Sequence, residues 1–391
     1  MKIDSVDFFY LSMPVVHDIG DGSQDALLVR VRAGAVEGWG ECEAAPLPSI
    51  ASWVCPMSHS ACKPVGVSVL GERIDTPADI RRINTKVREN SFDLLQSHHT
   101  LSGIDIALWD LLGRARAEPA YRLLGYPRAY AKTAYASALF GDTPEATATK
   151  AMAIRTAGFR AAKFGWGVYG KAGVAADARH VEAARAGLGE DGILLIDAGT
   201  IFGDDVDAAA ARLPALAAAR VTWFEEPFNG GAYVAYRRLA AQAGAVALAA
   251  GEGCHDFYSA ANLLDCAGLG FVQIDAGRIG GLSTAKQVAD LAQAKGVRYV
   301  NHTFTSHLAL AASLQPYAGI DGDQLCEYPF EAQPLARAIG TAQLAPDDNG
   351  AVHLAEAPGL GIEIDCTLLR PYLIDVEIQL GGRLLYRSPA L

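Results

Sequence analysis

The rhythm of hydrophobic and polar positions changes near residue 131. Before it, residues 2–12 and 26–43 read as strands, the second bent at a turn around Ala33–Gly34. Between them lies a polar loop, Val15–Gln24, rich in Gly, Asp and Ser. A second stretch, Ala45–Val65, carries Pro46, Pro48, Pro56 and Pro64 and reads as irregular. In SGIDIALWDLLGRARAEPAYRLLG, Ile104, Ala107, Leu108, Leu111 and Leu112 recur at helical spacing and form one apolar face, with Ser102 as the expected N-cap. Beyond residue 131, short apolar runs alternate with Ala-rich helical stretches. Strands are expected to begin near Thr133, Ala161, Ile193, Val221, Val246, Phe271, Arg298 and Gln324, at intervals of 25 to 32 residues. Thr143–Pro144–Glu145 reads as a capped helix start, and Pro214 in AAAARLPALAAA is tolerable only near a helix end or a kink.

Eight strands alternating with helices predict an α/β fold with a closed parallel barrel. An open doubly wound sheet is the alternative, but its GxGxxG after the first strand is absent. GRIGG (Gly277–Gly281) has the wrong spacing and reads as a loop turn. After Glu327, PGLGIEID and LIDVEIQLGGRLLY read as extended segments returning toward the N-terminal sheet.

Composition narrows the class. With 391 residues, 51% hydrophobic and 20% charged, the chain can bury a core for two or three domains, which excludes disorder. The net charge of −11, with no basic stripe, argues against nucleic acid as a partner. No run of 18 uncharged apolar residues suggests a membrane span, and the N-terminus does not resemble a signal peptide, so a cytoplasmic protein is expected. Cys42, Cys55, Cys62, Cys254, Cys266, Cys326 and Cys366 form no CxxC pair and read mostly as small core residues in a reducing compartment.

In a barrel of this kind chemistry sits at the C-terminal ends of the strands. ILLID ends at Asp197, VTWFE at Glu225 and VALAAGE at Glu252. Three carboxylates at successive strand ends repel one another, and a hard divalent cation such as Mg²⁺ resolves the repulsion. FVQID ends at Asp275 and VRYVN leads into His302. A carboxylate beside an imidazole makes a general base, with His307 one turn further on as a decoy. DQLCE ends at Glu327, which, if protonated, can donate to an oxyanion opposite the metal. Lys163, inside the apolar run AAKF, suggests a polar strand end facing a ligand.

The GWGEC strand, the SGIDIALWDLLGRARAEPAYRLLG helix, WFEEP, AAGE, QID with RIGGLS, NHTFTSH, CEYP and PGLGIEID together resemble the mandelate racemase subgroup of the enolase superfamily. The resemblance implies a modified TIM barrel, (β/α)7β, at 129–355. It also implies an α+β capping domain made of residues 1–128 and a returning segment, 356–391. It implies Mg²⁺ held by Asp197, Glu225 and Glu252, a His302–Asp275 acid/base dyad, and Glu327 donating to the substrate carboxylate. Two capping loops usually close such sites. Here they are Val15–Gln24 and Ala45–Val65, which makes His17, Trp53 and His59 candidate substrate contacts. The family also implies a homo-oligomer, a dimer or an octamer.

One departure matters. The subgroup commonly carries a K-x-K pair whose second lysine is a base on the opposite face. Here the pair reads Lys163 and Gly165, followed by Trp166, a further candidate contact. Racemisation needs a base on each face, whereas a single base still allows dehydration. The expected activity is therefore a Mg²⁺-dependent dehydratase acting on a sugar acid, an aldonate or aldarate, with Lys163 assisting charge stabilisation. An epimerase or lactone cycloisomerase on the same site is the alternative, and a non-catalytic binding protein a more distant one.

Overall fold

The computed structural model describes residues 1–322 and 324–391. At the N-terminus, strands β1 (Ser5–Ser12), β2 (Asp25–Ala33) and β3 (Val36–Cys42) form an antiparallel sheet in chain order. The expected bend at Ala33–Gly34 is a tight turn that splits 26–43 into a hairpin. Gly34 sits there at φ +63°, and its N–H donates to the Asp4 carboxylate at 2.6 Å. Helices α1 (Pro46–Val54), α2 (Pro77–Asn90) and α3 (Ser97–Arg116) follow. Ala45–Val65 is thus not wholly irregular: Pro46 and Pro48 fall in the first turn of α1, where a missing N–H costs nothing. Nor is Ser102 an N-cap. The helix begins a turn earlier, and Ser102 Oγ bonds back to the His98 carbonyl while accepting from Gly280 N. Contacts of Gln96 and Thr100 with Ser49 of α1 hold that additional turn.

The close docking of α3 on β3 explains GWGEC. A Cβ on Gly38 would lie 2.3 Å from the Ala107 carbonyl, and one on Gly40 would lie 2.2 Å from that of Gly103.

The barrel consists of β4 (Lys132–Leu139), β5 (Ala161–Gly165), β6 (Ile193–Asp197), β7 (Val221–Glu225), β8 (Ala247–Ala250), β9 (Phe271–Asp275), β10 (Arg298–His302) and β11 (Leu325–Pro329). Every expected barrel strand is present, although Asp323, the first residue of DQLCE, lies outside the described residues. Neighbouring strands pair in parallel from β10 back to β4 and on to β11. At the β10–β11 seam the Asn301 side-chain amide stands in for a backbone ladder. Its Oδ1 accepts from Glu327 N at 2.9 Å and its Nδ2 donates to the Glu327 carbonyl at 3.3 Å. Inside, the eight strands contribute one side chain each to an apolar plug: Tyr135, Ala161, Leu195, Trp223, Ala249, Phe271, Val300 and Leu325. The polar strand ends sit above this floor. As expected, Pro214 lies near a helix end, in the first turn of Leu213–Ala218, just after the break that follows Val206–Ala210.

RIGGLS is more than a loop turn. Gly281, at φ +84°, leaves room for Asp105 of α3, which accepts from Ser283 N, while Trp109 Nε1 donates to Ser283 Oγ at 3.0 Å. The segment is the seat on which the N-terminal domain docks.

The C-terminal tail returns to the N-terminal domain, where Leu360 N donates to Asp110 and Arg114 donates to the Ile362 carbonyl, but it does not extend the sheet. PGLGIEID forms no strand. The last residues form a hairpin, Glu377–Leu380 with Arg383–Arg387, that pairs with itself across Gly381–Gly382. Its connection to β1 is a single bridge, Leu11 with Leu373, plus the Tyr386 hydroxyl donating to the Phe8 carbonyl. Among the described residues no helix is long and apolar enough to cross a membrane. The cysteines are all free. Cys42, Cys254 and Cys326 are buried, but Cys266 is exposed and the other three are half-buried, so fewer are core residues than composition suggested.

Candidate active site

The strand ends open into a cavity of about 300 Å³ between barrel and cap. Its barrel walls include Lys163, Gly165, Trp166, Asp197, Glu252, Arg278, His302 and Glu327, and its cap walls are Ile19–Gly22 and Glu43. Glu225 lies just beneath. Register pairs Asp197 with Glu225 and Gly165 with Asp197, so these groups sit side by side at one level of the barrel.

Lys163 stands at the centre of the acids. Its Nζ is 2.6 Å from Glu225 Oε1 and 2.8 Å from Glu327 Oε1, above the Tyr135 ring. Burial favours the neutral amine, but Glu225 and Glu327 outweigh it and hold Lys163 well above its usual range. Both acidic partners favour its charged form. Trp223 Nε1 fixes the other oxygen of Glu225 at 2.9 Å. Burial, partly offset by Lys163, pushes Asp197 up to about 7 and Glu225 up to about 8. Carboxylates this crowded want a cation.

That donor set fits a hard divalent cation by its chemistry: Asp197 and Glu225 close β6 and β7, whereas Glu252 lies two residues past the end of β8 rather than closing the strand as expected. As the side chains stand, Glu225 is turned to Lys163 and Glu252 to His302, and among the described residues no three such side chains converge as ligands.

His302 Nδ1 lies 2.7 Å from Asp275 Oδ2, where Nδ1–H donates to the carboxylate. Asp275 is itself oriented by the Gly277 N–H at 2.6 Å. His302 Nε2 is 3.0 Å from Glu252 Oε2 and 3.9 Å from Glu327. Burial opposes charge on the ring, but Glu252, Glu327 and Asp275 raise His302 well above its usual range, and Glu252 is correspondingly held low by His302 and Arg278 in spite of its burial. Glu327 Oε2 accepts from Thr303 N at 2.9 Å and its Oε1 faces Lys163 Nζ at 2.8 Å, so both oxygens already face donors and the expected donating role does not fit this arrangement.

Gly165 stands where the subgroup's second lysine would be, and the space beside it is taken by Asp197. A Cβ at Gly165 would lie 2.7 Å from Asp197 Oδ2 and 2.8 Å from Asp197 Cβ.

The four expected substrate contacts divide unevenly. Only Trp166 lines the cavity, half-exposed and at φ +55°. Trp53 is a core residue of the cap, 5.4 Å from the Phe8 ring, because α1 turns it inward. His59 is paired with Asp93 on the surface, and His17 is exposed with its backbone tied to Gln24. None of these three reaches the cavity. His307 is buried away from it, its Nδ1 accepting from Leu344 N.

Sequence reasoning missed Asp21, Glu43 and Arg278. Glu43 Oε1 is 3.2 Å from Arg278, whose other arm is 3.3 Å from Glu252. The sequence offered little signal for Glu43: it follows β3, whose sequence VEGWGEC already carries two glutamates and is no apolar run.

Comparison with known proteins fits this geometry. Residues 146–368 match the enolase C-terminal domain-like family and residues 11–125 the mandelate racemase / muconate lactonizing enzyme N-terminal domain. The chain belongs to the enolase superfamily. Within it, a Rhodobacter sphaeroides structure described as a predicted mandelate racemase is 59% identical, with TM-score 0.95 and 99% of each chain covered. The D-galactarolactone cycloisomerase of Agrobacterium fabrum is 33% identical over 277 residues, 68% of this chain and 71% of that protein. The 3,6-anhydro-D-galactonate cycloisomerase of Zobellia galactanivorans, 23% identical with TM-score 0.82 over 96% of this chain and 100% of that one, shares the fold.

Proposed function

We propose that this enolase-superfamily member is a Mg²⁺-dependent lyase that removes the α-proton of a sugar-acid carboxylate and expels the oxygen on the β-carbon. The observation that carries the reading is a one-sided site. The His302–Asp275 dyad faces the cavity, while the opposite wall offers Gly165 and a charge-locked Lys163.

In this reading Asp197, Glu225 and Glu252 hold the cation, which when bound supplies the positive charge that makes the α-C–H acidic. His302 Nε2 takes the α-proton, and base function requires Glu252, now 3.0 Å away, to be engaged elsewhere. Asp275 keeps the ring oriented and stabilises its protonated form. Lys163 places a fixed charge where negative charge develops on the substrate carboxylate. The C–H electron pair becomes a C=C bond as the β-C–O bond breaks. His302 returns its proton to the departing oxygen, and the α-hydroxyl enol tautomerises to a 2-keto-3-deoxy acid.

The second reading, a cycloisomerase, is favoured by the Agrobacterium relative. It uses the same bond changes with the leaving oxygen tethered in a ring, so no water departs. Incubating the Mg²⁺-loaded enzyme with a panel of sugar acids and their lactones separates the two: a 2-keto product lighter by one water indicates dehydration, one of unchanged mass indicates isomerisation. The absence of any 2-keto product, with or without α-proton exchange, contradicts both.

A further inference from the structure

The proposed function leaves open what the far end of the substrate carries. The cationic side chains lining the cavity, among the described residues, are Lys163, Arg278 and His302. Each already has at least two carboxylate partners: Glu225 and Glu327 for Lys163, Glu43, Glu252 and Asp275 for Arg278, and Asp275, Glu252 and Glu327 for His302. Even with Glu225 and Glu252 turned to a metal ion, Lys163 keeps Glu327, Arg278 keeps Glu43 and His302 keeps Asp275.

The cap supplies no further cation and adds acid. Asp21 is buried at the cavity wall, its carboxylate fixed by Ser23 N at 2.9 Å, Ser23 Oγ at 2.5 Å and Gln333 Nε2 at 2.8 Å. The loop carrying it is held down by Trp166. A Cβ on Gly20 would lie 2.9 Å from one part of the indole, and a Cβ on Gly199 would lie 2.8 Å from another, so the ring is clasped between cap loop and barrel. Glu43 Oε1 packs under the same loop, 3.0 Å from where a Gly22 Cβ would stand. The remaining outer wall is neutral, with Ser137, Leu139 and Phe304.

We infer that the site selects sugar acids with one carboxylate and an uncharged hydroxylated tail, aldonates rather than aldarates, and that Asp21 and Glu43 enforce the choice. The inference rests on the sugar-acid reading above. A second carboxylate entering this wall would be desolvated against Asp21 with no free cation to meet it. Hydroxyl groups, by contrast, can donate to Asp21 and Glu43.

The test compares kcat/KM for C6 aldonates and aldarates of matched configuration, in wild type and in Asp21→Asn and Glu43→Gln, with thermal melts to confirm folding. Wild type is expected to favour aldonates by about a hundredfold, and either variant to narrow that ratio by about tenfold. Aldarate turnover equal to or above aldonate turnover overturns the inference and leaves the enolisation reading intact. An unchanged ratio in both folded variants overturns the role of the acidic wall. No α-proton exchange in D2O with any sugar acid overturns the enolisation reading itself, and the inference with it.

Discussion

The two sides of the cavity are built from the same kind of strand end and do different things. On the β9–β10 side, Asp275 and His302 form a hydrogen-bonded pair whose ring nitrogen faces the substrate space. On the β5 side, Lys163 is immobilised between Glu225 and Glu327, and the next inward position is a glycine because Asp197 occupies the room. In the proposed reading one side moves a proton and the other holds charge. On that reading the difference teaches that an outcome among many in one family is set by what one side lacks: elimination needs one base, whereas inversion needs two.

The comparison can be broken most severely at His302. His302→Asn should lower α-proton exchange and turnover by about 10⁴-fold, read by proton NMR in D2O, with the melting temperature little changed. Lys163→Met should lower kcat by about 10²–10³-fold and leave the pH limb of the base in place, since the lysine carries charge and transfers no proton. The same change strands Glu225 and Glu327, so a loss of about 3–5 kcal/mol in chemical denaturation is expected. Loss of a pH limb in that variant would make Lys163 a proton carrier and erase the contrast between the sides. Gly165→Ala should cost about 1–3 kcal/mol, because the methyl meets Asp197 at 2.7–2.8 Å, and should not create racemisation. Trp166→Ala should have the smallest effect, raising KM by about tenfold. It should also speed proteolysis within Val15–Gln24, since the indole clasps Gly20.

Much of this contrast was legible in the sequence, for a physical reason. Parallel barrel strands are buried on both faces, so they read as short apolar runs, and a charged residue closing such a run stands out. Asp197, Glu225, Glu252, Asp275, His302 and Glu327 were all visible in this way, whereas the missing lysine at 165 showed only against the family's K-x-K pattern. The cap was less legible. Its prolines suggested irregularity, yet they begin α1, and Ser102 looked like a cap because the preceding SHHTL lacks apolar periodicity. His17, Trp53 and His59 were chosen by residue type within loops, and type does not say which way a loop residue points. Glu43 and Arg278 meet only through docking of the two domains, 235 positions apart in the chain, which no local pattern encodes.

The central claim, a single base on one side of the cavity, is tested most directly by the configuration at C2 of unreacted substrate. The Mg²⁺-loaded enzyme is incubated in D2O with a sugar acid it consumes, and the remaining substrate is analysed for deuterium and stereochemistry. The account predicts a 2-keto product, retained configuration at C2 in whatever substrate has exchanged, and loss of both exchange and product in His302→Asn. Accumulation of the C2 epimer carrying deuterium would contradict it, because a second base would then be acting from the side of Lys163 and Gly165.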